Sequence, residues 1–275
     1  MRLELENNDT IKDNSVEKLK NNNDNSSFDI SKKSFSYKLK YFWDYYKVPV
    51  IIGLLVVCVA AYIIHAVTST KPSAFYALFL NSYGVDGYSF SKDFSEYADI
   101  DLSQYSCTID GSLSISPVLE STFDMAASTT IDYLITDNNL DVMALDTRNF
   151  YCFCLHGYFD NLENVLTEEE MKKYEGRIYY FDMAELKEAE ENADEFGLSV
   201  AKITDVPDDK LEEEAERHLH PENMAEPVPY GIFIGDAPYI QNCYCYSGKI
   251  PVIGIVGNSN RKNLAIKFID FIFQD

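Results

Sequence analysis

An α/β domain behind a single transmembrane helix is the architecture that the order of apolar segments predicts for this chain of 275 residues. Three observations lead there: one long charge-free apolar run, acidity confined to the residues beyond it, and strand-length runs alternating with helix-period segments. At 46% apolar and 14% aromatic residues the chain has ample material for a core and does not belong with disordered proteins.

Between Lys47 and Lys71 no residue carries a fixed charge. Residues 48–67, VPVIIGLLVVCVAAYIIHAV, would span roughly 30 Å as a helix rising about 1.5 Å per residue, one bilayer's hydrocarbon thickness. A transmembrane helix over 48–69 is expected, with Pro49 tolerated in its first turn and His65 near the far interface. A core helix would be shorter and striped with polar residues. A secretory leader would begin nearer the N-terminus, with an apolar stretch of about 7–15 residues and a small-x-small cleavage site, so an uncleaved signal anchor fits better. Val57 is too bulky to precede a lipidated Cys58, which reads as a lipid-facing or packing residue. Lys32, Lys33, Lys38, Lys40 and Lys47 precede the run and only Lys71 closely follows it, which predicts a single-pass protein of the cell membrane, N-terminus cytoplasmic and C-terminal domain extracellular. Phe35, Tyr37, Tyr41, Phe42, Trp43, Tyr45 and Tyr46 interleave with those lysines as an aromatic belt on an amphipathic approach helix.

The formal net charge is −22. Residues 1–70 hold nine Lys/Arg against eight Asp/Glu, whereas the rest hold 14 against 37, a net of −23. Nucleic acid is thereby excluded as a partner, because binding phosphates needs clustered Lys and Arg that release counterions. Such acidity keeps an ectodomain soluble but names no ligand.

Residues 1–31, rich in Asn, Asp, Ser and Lys, have little to bury and read as a disordered cytoplasmic tail, followed by a basic and aromatic juxtamembrane segment over 32–47. After the membrane helix a linker spanning less than about 20 Å leads into the extracytoplasmic domain over 73–275, which should stay close to the bilayer. Within it, residues 74–81 (AFYALFLN), 105–109 (YSCTI), 140–145 (LDVMAL), 230–234 (YGIFI) and 250–256 (IPVIGIV) have strand character. Helices are expected over 117–134 behind a Ser116-Pro117 start, over 150–158, and after Asn258-Ser259-Asn260 with Leu264, Ile266, Phe268, Ile269 and Phe271 facing inward. Residues 182–226 carry sixteen Asp/Glu against four Lys/Arg and read as an acidic helical excursion, a solvated surface with helices over 183–196 and 208–219.

Five of the six cysteines lie beyond the membrane run: Cys107, the pair Cys152 and Cys154, and the pair Cys243 and Cys245. Two C-x-C pairs on strands could meet as a four-thiolate metal site or as disulfides. Structural zinc favours C-x-x-C loops, and on a helix side chains two apart diverge by about 200°. Buried free thiols, a disulfide and, last, a metal stay open for them. His218 and His220, with Glu216 and Glu222, lack the H-E-x-x-H spacing that sets two imidazoles on one helical face. No P-loop, nucleophile elbow, dinucleotide fingerprint or EF-hand loop occurs, so no cofactor or metal is expected and the domain reads as non-catalytic.

Two segments carry a family likeness. Residues 140–162, LDVMALDTRNFYCFCLHGYFDNL, hold an apolar strand ending in Asp followed by "F…G…dL", and the C-terminal IPVIGIVGNSNRKNLAIKFIDFIF sets a small polar turn before an "A…F-x-x-F" helix. Both resemble type II periplasmic binding proteins, the extracellular solute-binding proteins, here in a short membrane-anchored form. The resemblance implies an α/β core built from residues 105–109, the helix over 116–134 and LDVMAL, with a ligand cleft at the carboxyl ends of strands facing helix N-termini. The domain is short for a two-lobed receptor, and part of a second lobe would be replaced by the acidic excursion.

A membrane-anchored solute-binding-like module is the function expected, its small polar ligand held by Ser82, Tyr83, Asp146, Thr147, Asp236, Tyr239, Asn258 and Ser259, with Asn81 beside them. Each offers a hydrogen bond or a stacking face at a strand end or helix start, and a plain turn or cap role competes at each. The alternative is a ligand-free protein-interaction or assembly ectodomain of a membrane complex, to which the short linker and many tyrosines point. The partners expected are thus the lipid bilayer, a small polar ligand and a membrane protein.

Overall fold

The computed structural model describes residues 34–69, 71–119, 121–193 and 200–274. The tail expected over 1–31 lies outside the described residues, as do Lys32 and Lys33. The chain divides after Thr70 into two units.

The first unit is α1, Phe35–Ser69, a helix of 35 residues and so about 52 Å long. Its stretch Phe35–His65 is long and apolar enough, by length and composition, to cross a membrane, and its most apolar window is wholly exposed. The basic, aromatic segment and the apolar run are thus one continuous helix. Pro49 lies inside it instead of in a first turn. Its missing N–H withholds the donor that the Tyr45 carbonyl would otherwise meet, so α1 bends most easily there.

The second unit is one sheet with helices on both faces. β1 (Ser73–Phe79) leads through α2 (Gly87–Ala98), β2 (Ser106–Asp110) and α3 (Thr122–Thr136) to β3 (Val142–Asp146), α4 (Thr147–Leu155) and α5 (Glu168–Lys173). Then come β4 (Ile178–Asp182), α6 (Met183–Glu191), α7 (Ala201–Thr204), α8 (Leu211–Arg217), β5 (Pro227–Phe233), α9 (Pro238–Cys243), β6 (Pro251–Ile255) and α10 (Lys262–Ile272). The six strands lie in the order β2-β1-β3-β6-β5-β4. β1 is parallel to β2 and β3, β6 is antiparallel to β3 and β5, and β4 is antiparallel to β5. The domain is mixed α/β.

Successive strand side chains face opposite sides. Phe75, Ala77 and Phe79 of β1 pack with Ala144 of β3 and Ile253 of β6 against Phe90 and Phe94 of α2 and Phe268 of α10. Leu78, Leu80, Met143 and Leu145 point the other way, toward Ile131 of α3 and Phe150 and Tyr151 of α4. Each fully buried Phe or Leu there stabilises the fold by about 1.5–3 kcal/mol before chain entropy is counted. Because β2 and β3 flank β1 on opposite sides, right-handed crossovers must put α2 and α3 on opposite faces, as they are. The rings of Phe150 and Phe159 stack 4.3 Å apart over the centre of the sheet. Two glycines make room for them: a Cβ on Gly231 would stand 2.4 Å from Phe150, and one on Gly254 2.5 Å from Phe159.

The amino end of β3 is locked. Asp141 is fully buried, and its carboxylate accepts from Arg261 Nε at 3.0 Å, from the Ser259 hydroxyl at 2.5 Å and from the Tyr76 N–H at 2.9 Å. Burial pushes its carboxyl upward, while Ser259, Tyr76 and Arg261 pull it back.

Several boundaries differ from those expected, each for a local reason. α3 starts at Thr122 because Ser121 and Asp124 form a capping box, each side chain accepting the other's N–H at 3.1 and 3.0 Å. The Ser116 N–H is used by Asp124 instead of starting a helix. α4 starts at Thr147, three residues early, because Asp146 caps it. α6 ends at Glu191, and the far end of the helix expected over 183–196 lies outside the described residues. The helix expected over 208–219 is a 3-10 turn, Asp208–Lys210, followed by α8. Asn258, Ser259 and Asn260 do not cap α10, whose N-cap is Arg261; Ser259 serves Asp141, and Asn258 donates to the Ile135 carbonyl. The buried face of α10 is Ala265, Phe268, Ile269, Phe271 and Ile272, which leaves Leu264 and Ile266 half-buried.

The acidic excursion is more than a solvated surface. His218 is fully buried, its ring stacked 4.1 Å from Tyr179, and its Nδ1 lies 2.8 Å from the Tyr180 carbonyl, a bond to β4 that ends α8. Beside it the buried Glu185 carboxylate meets Arg217 Nη1 at 2.7 Å and Lys202 Nζ at 2.9 Å, and Glu214 meets Arg217 Nε at 3.0 Å. Burial opposes the charge on Glu214, yet His218 and Arg217 bring its carboxyl down to about 2. One arginine between two glutamates fastens α8 to α6.

Candidate functional site

Loops leaving the carboxyl ends of the neighbouring strands β1 and β3 diverge, since β1 leads into α2 on one face of the sheet and β3 into α4 on the other. Open α/β sheets hold ligands at such a switch point. A cleft of about 500 Å³ opens there, with Asn81, Asp146, Thr147, Arg148, Asp208 and Lys249 among its lining residues.

Asn81 follows β1 in the left-handed region at φ 56°, which Asn tolerates better than most residues. Its amide mimics a backbone pair, accepting the Ile115 N–H at 2.9 Å and donating to the Ile115 carbonyl at 2.9 Å. The same amide donates to Asp146 at 2.8 Å, joining the ends of β1 and β3. Asp146 in turn caps α4, accepting the Asn149 N–H at 3.2 Å and the Asn149 side-chain amide at 3.0 Å. The Thr147 hydroxyl donates to the Ile250 carbonyl at 2.9 Å. The carboxyl end of β3 is therefore a rigid polar floor set at a helix N-terminus.

Two cations flank that floor in a domain that is otherwise strongly acidic. Lys249 Nζ donates to the Asn81 carbonyl at 2.6 Å and lies 4.7 Å from the centre of the Tyr83 ring. An ammonium has three donors, so this lysine can hold the backbone and a ligand at once. Arg148 pairs with Asp208 at 2.9 Å and donates to the Val206 carbonyl, while its buried Nε, like the buried Oδ1 of Asn149, meets no partner among the described residues. Such unpaired polar atoms mark where a bound group would be satisfied.

The structure brings Asp146 and Thr147 together with Asn81 in the cleft. Ser82 and Tyr83 stand beside it: the Ser82 hydroxyl closes the turn onto the Phe79 carbonyl at 2.9 Å, and the Tyr83 N–H donates to the Cys245 carbonyl at 2.7 Å. The other four expected residues are elsewhere. Asp236 is held by Arg177 Nε at 2.9 Å, and Tyr239 stacks 4.3 Å from Phe90 with its hydroxyl on Asp93. Asn258 and Ser259 lie at the opposite end of the sheet, because β6 runs antiparallel to β3. Arg148, Asn149, Asp208 and Lys249 escaped the sequence reading. Only Arg148 and Asn149 had a usable signal, as the first-turn neighbours of the Asp146-Thr147 cap.

The two cysteine pairs sit on opposite faces of the sheet, Cys152 and Cys154 in one core and Cys245 in the other, which rules out a shared four-thiolate site. No group of three or more His, Cys, Asp or Glu side chains that could hold a metal ion occurs among the described residues. His220 is exposed between Glu222 and Glu216, at 2.9 and 3.5 Å. No protein-family description, curated protein or solved structure matches the chain.

Proposed function

We propose that the chain is a membrane-anchored, non-catalytic solute-binding-like module, a single-lobed relative of the type II periplasmic binding proteins that takes a small polar ligand in the cleft between β1 and β3. The observation that carries this reading is the place of the cleft: a cavity of about 500 Å³ at the switch point, floored by a helix N-terminus and flanked by Lys249 and Arg148. Lys249 and Arg148 share the lining with Asp146, Asp208 and Glu212, so the cleft offers both signs of charge and suits a small polar ligand that carries donors and acceptors together, as an amino acid does. In this reading α1 is the anchor, with the lysine-rich end in the cytoplasm and the domain outside.

Thermal-shift screening of the protein against sugars, amino acids and short peptides tests the proposal. A true ligand at about a hundred times its Kd raises Tm by roughly 5–10 °C, and Lys249→Ala removes that response. A flat response in every class sinks it. Protease added to intact cells should digest the domain and spare the N-terminal residues; the reverse pattern overturns the topology.

One observation favours the second reading, a protein-interaction ectodomain. Phe123, Met125 and Tyr133 of α3, and Leu119 just before it, leave large apolar side chains exposed on more than one side of that helix, with Phe123 at 83% exposure. Cross-linking in cells that returns one membrane protein through α3, together with a flat ligand screen, would favour it over the first.

A further inference from the structure

We propose that Cys243 and Cys245 are a redox couple, two thiols that close to a disulfide within the C-x-C motif by exchange with an external disulfide. The couple stands whatever the cleft binds. Cys243 ends α9, Tyr244 takes a left-handed backbone at φ 52°, and Cys245 follows it into the core. This turn brings the two Sγ atoms to 2.8 Å, whereas Cys152 and Cys154, also two residues apart, diverge on the regular helix α4. Left-handed backbone costs a residue with a Cβ about 1–2 kcal/mol, and strain of this kind collects where a local geometry is used. Tyr244 is the left-handed C-cap of α9, its N–H donating to the Gln241 carbonyl, and the turn it makes sets the two sulfurs side by side.

The two thiols have unequal parts. Cys243 is half-buried and Cys245 fully buried. The close contact between the two sulfurs pulls the Cys243 thiol down to about 7, and the same contact, with burial, pushes the Cys245 thiol far up. An accessible low-pKa thiol beside a buried partner is the pairing that exchange chemistry uses.

In the first step the Cys243 thiolate attacks one sulfur of an external disulfide RS–SR. The S–S bond breaks, one RS⁻ leaves and takes up a proton, and Cys243 carries the mixed disulfide. Cys245 then loses its proton and attacks the Cys243 sulfur, and the second RS⁻ leaves. Two electrons pass to the external disulfide, which ends as two RSH.

The bond would form at the root of the segment over 244–249, which is fastened to the cleft. The Cys245 carbonyl accepts the Tyr83 N–H, the Tyr246 hydroxyl lies 2.8 and 2.7 Å from the Leu80 and Ala144 carbonyls, and Lys249 reaches Asn81.

The test uses the whole chain in detergent, equilibrated with glutathione and glutathione disulfide at varied ratios, alkylated, digested and read by mass spectrometry. The peptide carrying residues 243 and 245 should lose two hydrogens and resist alkylation as the ratio becomes oxidising, while Cys107, Cys152 and Cys154 stay thiols. In the reduced native protein Cys243 should alkylate faster than any other cysteine of the domain, with half-maximal rate near pH 7. Cys245→Ser should trap glutathione on Cys243, and Cys243→Ser should capture none at Cys245. A wild-type peptide that keeps both thiols at every ratio, or a Cys243 that alkylates no faster than Cys107, overturns the proposal without recourse to either variant.

Discussion

An aspartate stands at each end of β3, Asp141 just before it and Asp146 as its last residue, and the two have opposite surroundings. Asp141, at the amino end, is fully buried and sealed under Arg261, Ser259 and the Tyr76 N–H. Asp146, at the carboxyl end, is held by two asparagine amides and borders the cleft. One strand thus divides its work between a lock and a floor. The difference lies in the partner: a guanidinium delivered by α10 neutralises the first charge, and neutral amides orient the second without cancelling it.

The same isosteric change at both ends gives the largest contrast. Asp141→Asn leaves Arg261 without its carboxylate and should cost about 3–5 kcal/mol in urea unfolding, a Tm loss of roughly 6–20 °C. Asp146→Asn keeps a good helix cap and should cost only about 1 kcal/mol. Equal losses would erase the distinction.

An intermediate effect belongs to the third charged cluster. Arg217→Leu strips Glu214 and half of the support of Glu185, for about 2 kcal/mol at pH 7. Glu214 titrates at about 2 in the folded protein and near 4.3 when unfolded, so its contribution is complete above pH ~4.3 and fades as pH falls toward 2. Urea midpoints measured from pH 7 down to 3 should therefore fall less steeply in Arg217→Leu than in the wild type; parallel curves would mean that the arginine does not hold this carboxylate.

The smallest change in stability comes at the cleft wall. Lys249→Ala should move the unfolding midpoint by no more than about 1 kcal/mol, yet abolish any ligand-induced shift. A variant that unfolds easily would make Lys249 a strut instead of a binding group.

Much of the sheet was legible in the sequence because its central strands are buried on both faces and read as unbroken apolar runs, as AFYALF and PVIGI do. β4 was not: RIYYFD mixes tyrosines with charge, and only its place beside His218 shows that Tyr179 is fully buried. α2 was passed over although Phe90, Phe94 and Ala98 recur every four residues. Asp146 and Thr147 could be read as a site because a strand end and a helix cap are local events. Asn258 and Ser259 were misplaced because which edge a strand end faces depends on strand direction, and the antiparallel course of β6 is a tertiary fact. Lys249 reaches Asn81 only because the sheet folds residues 168 positions apart side by side.

That same placement of β6 shapes how the domain is born. β6 alone joins β2-β1-β3 to β5-β4, and it is the last of the six strands to be synthesised. At translation rates of about 5–20 residues per second, β3 waits roughly 5–20 s for its neighbour, with one edge unpaired. An emerging chain in this state presents a bare, greasy strand edge, so a spell of exposure to aggregation before β6 arrives is built into the strand order.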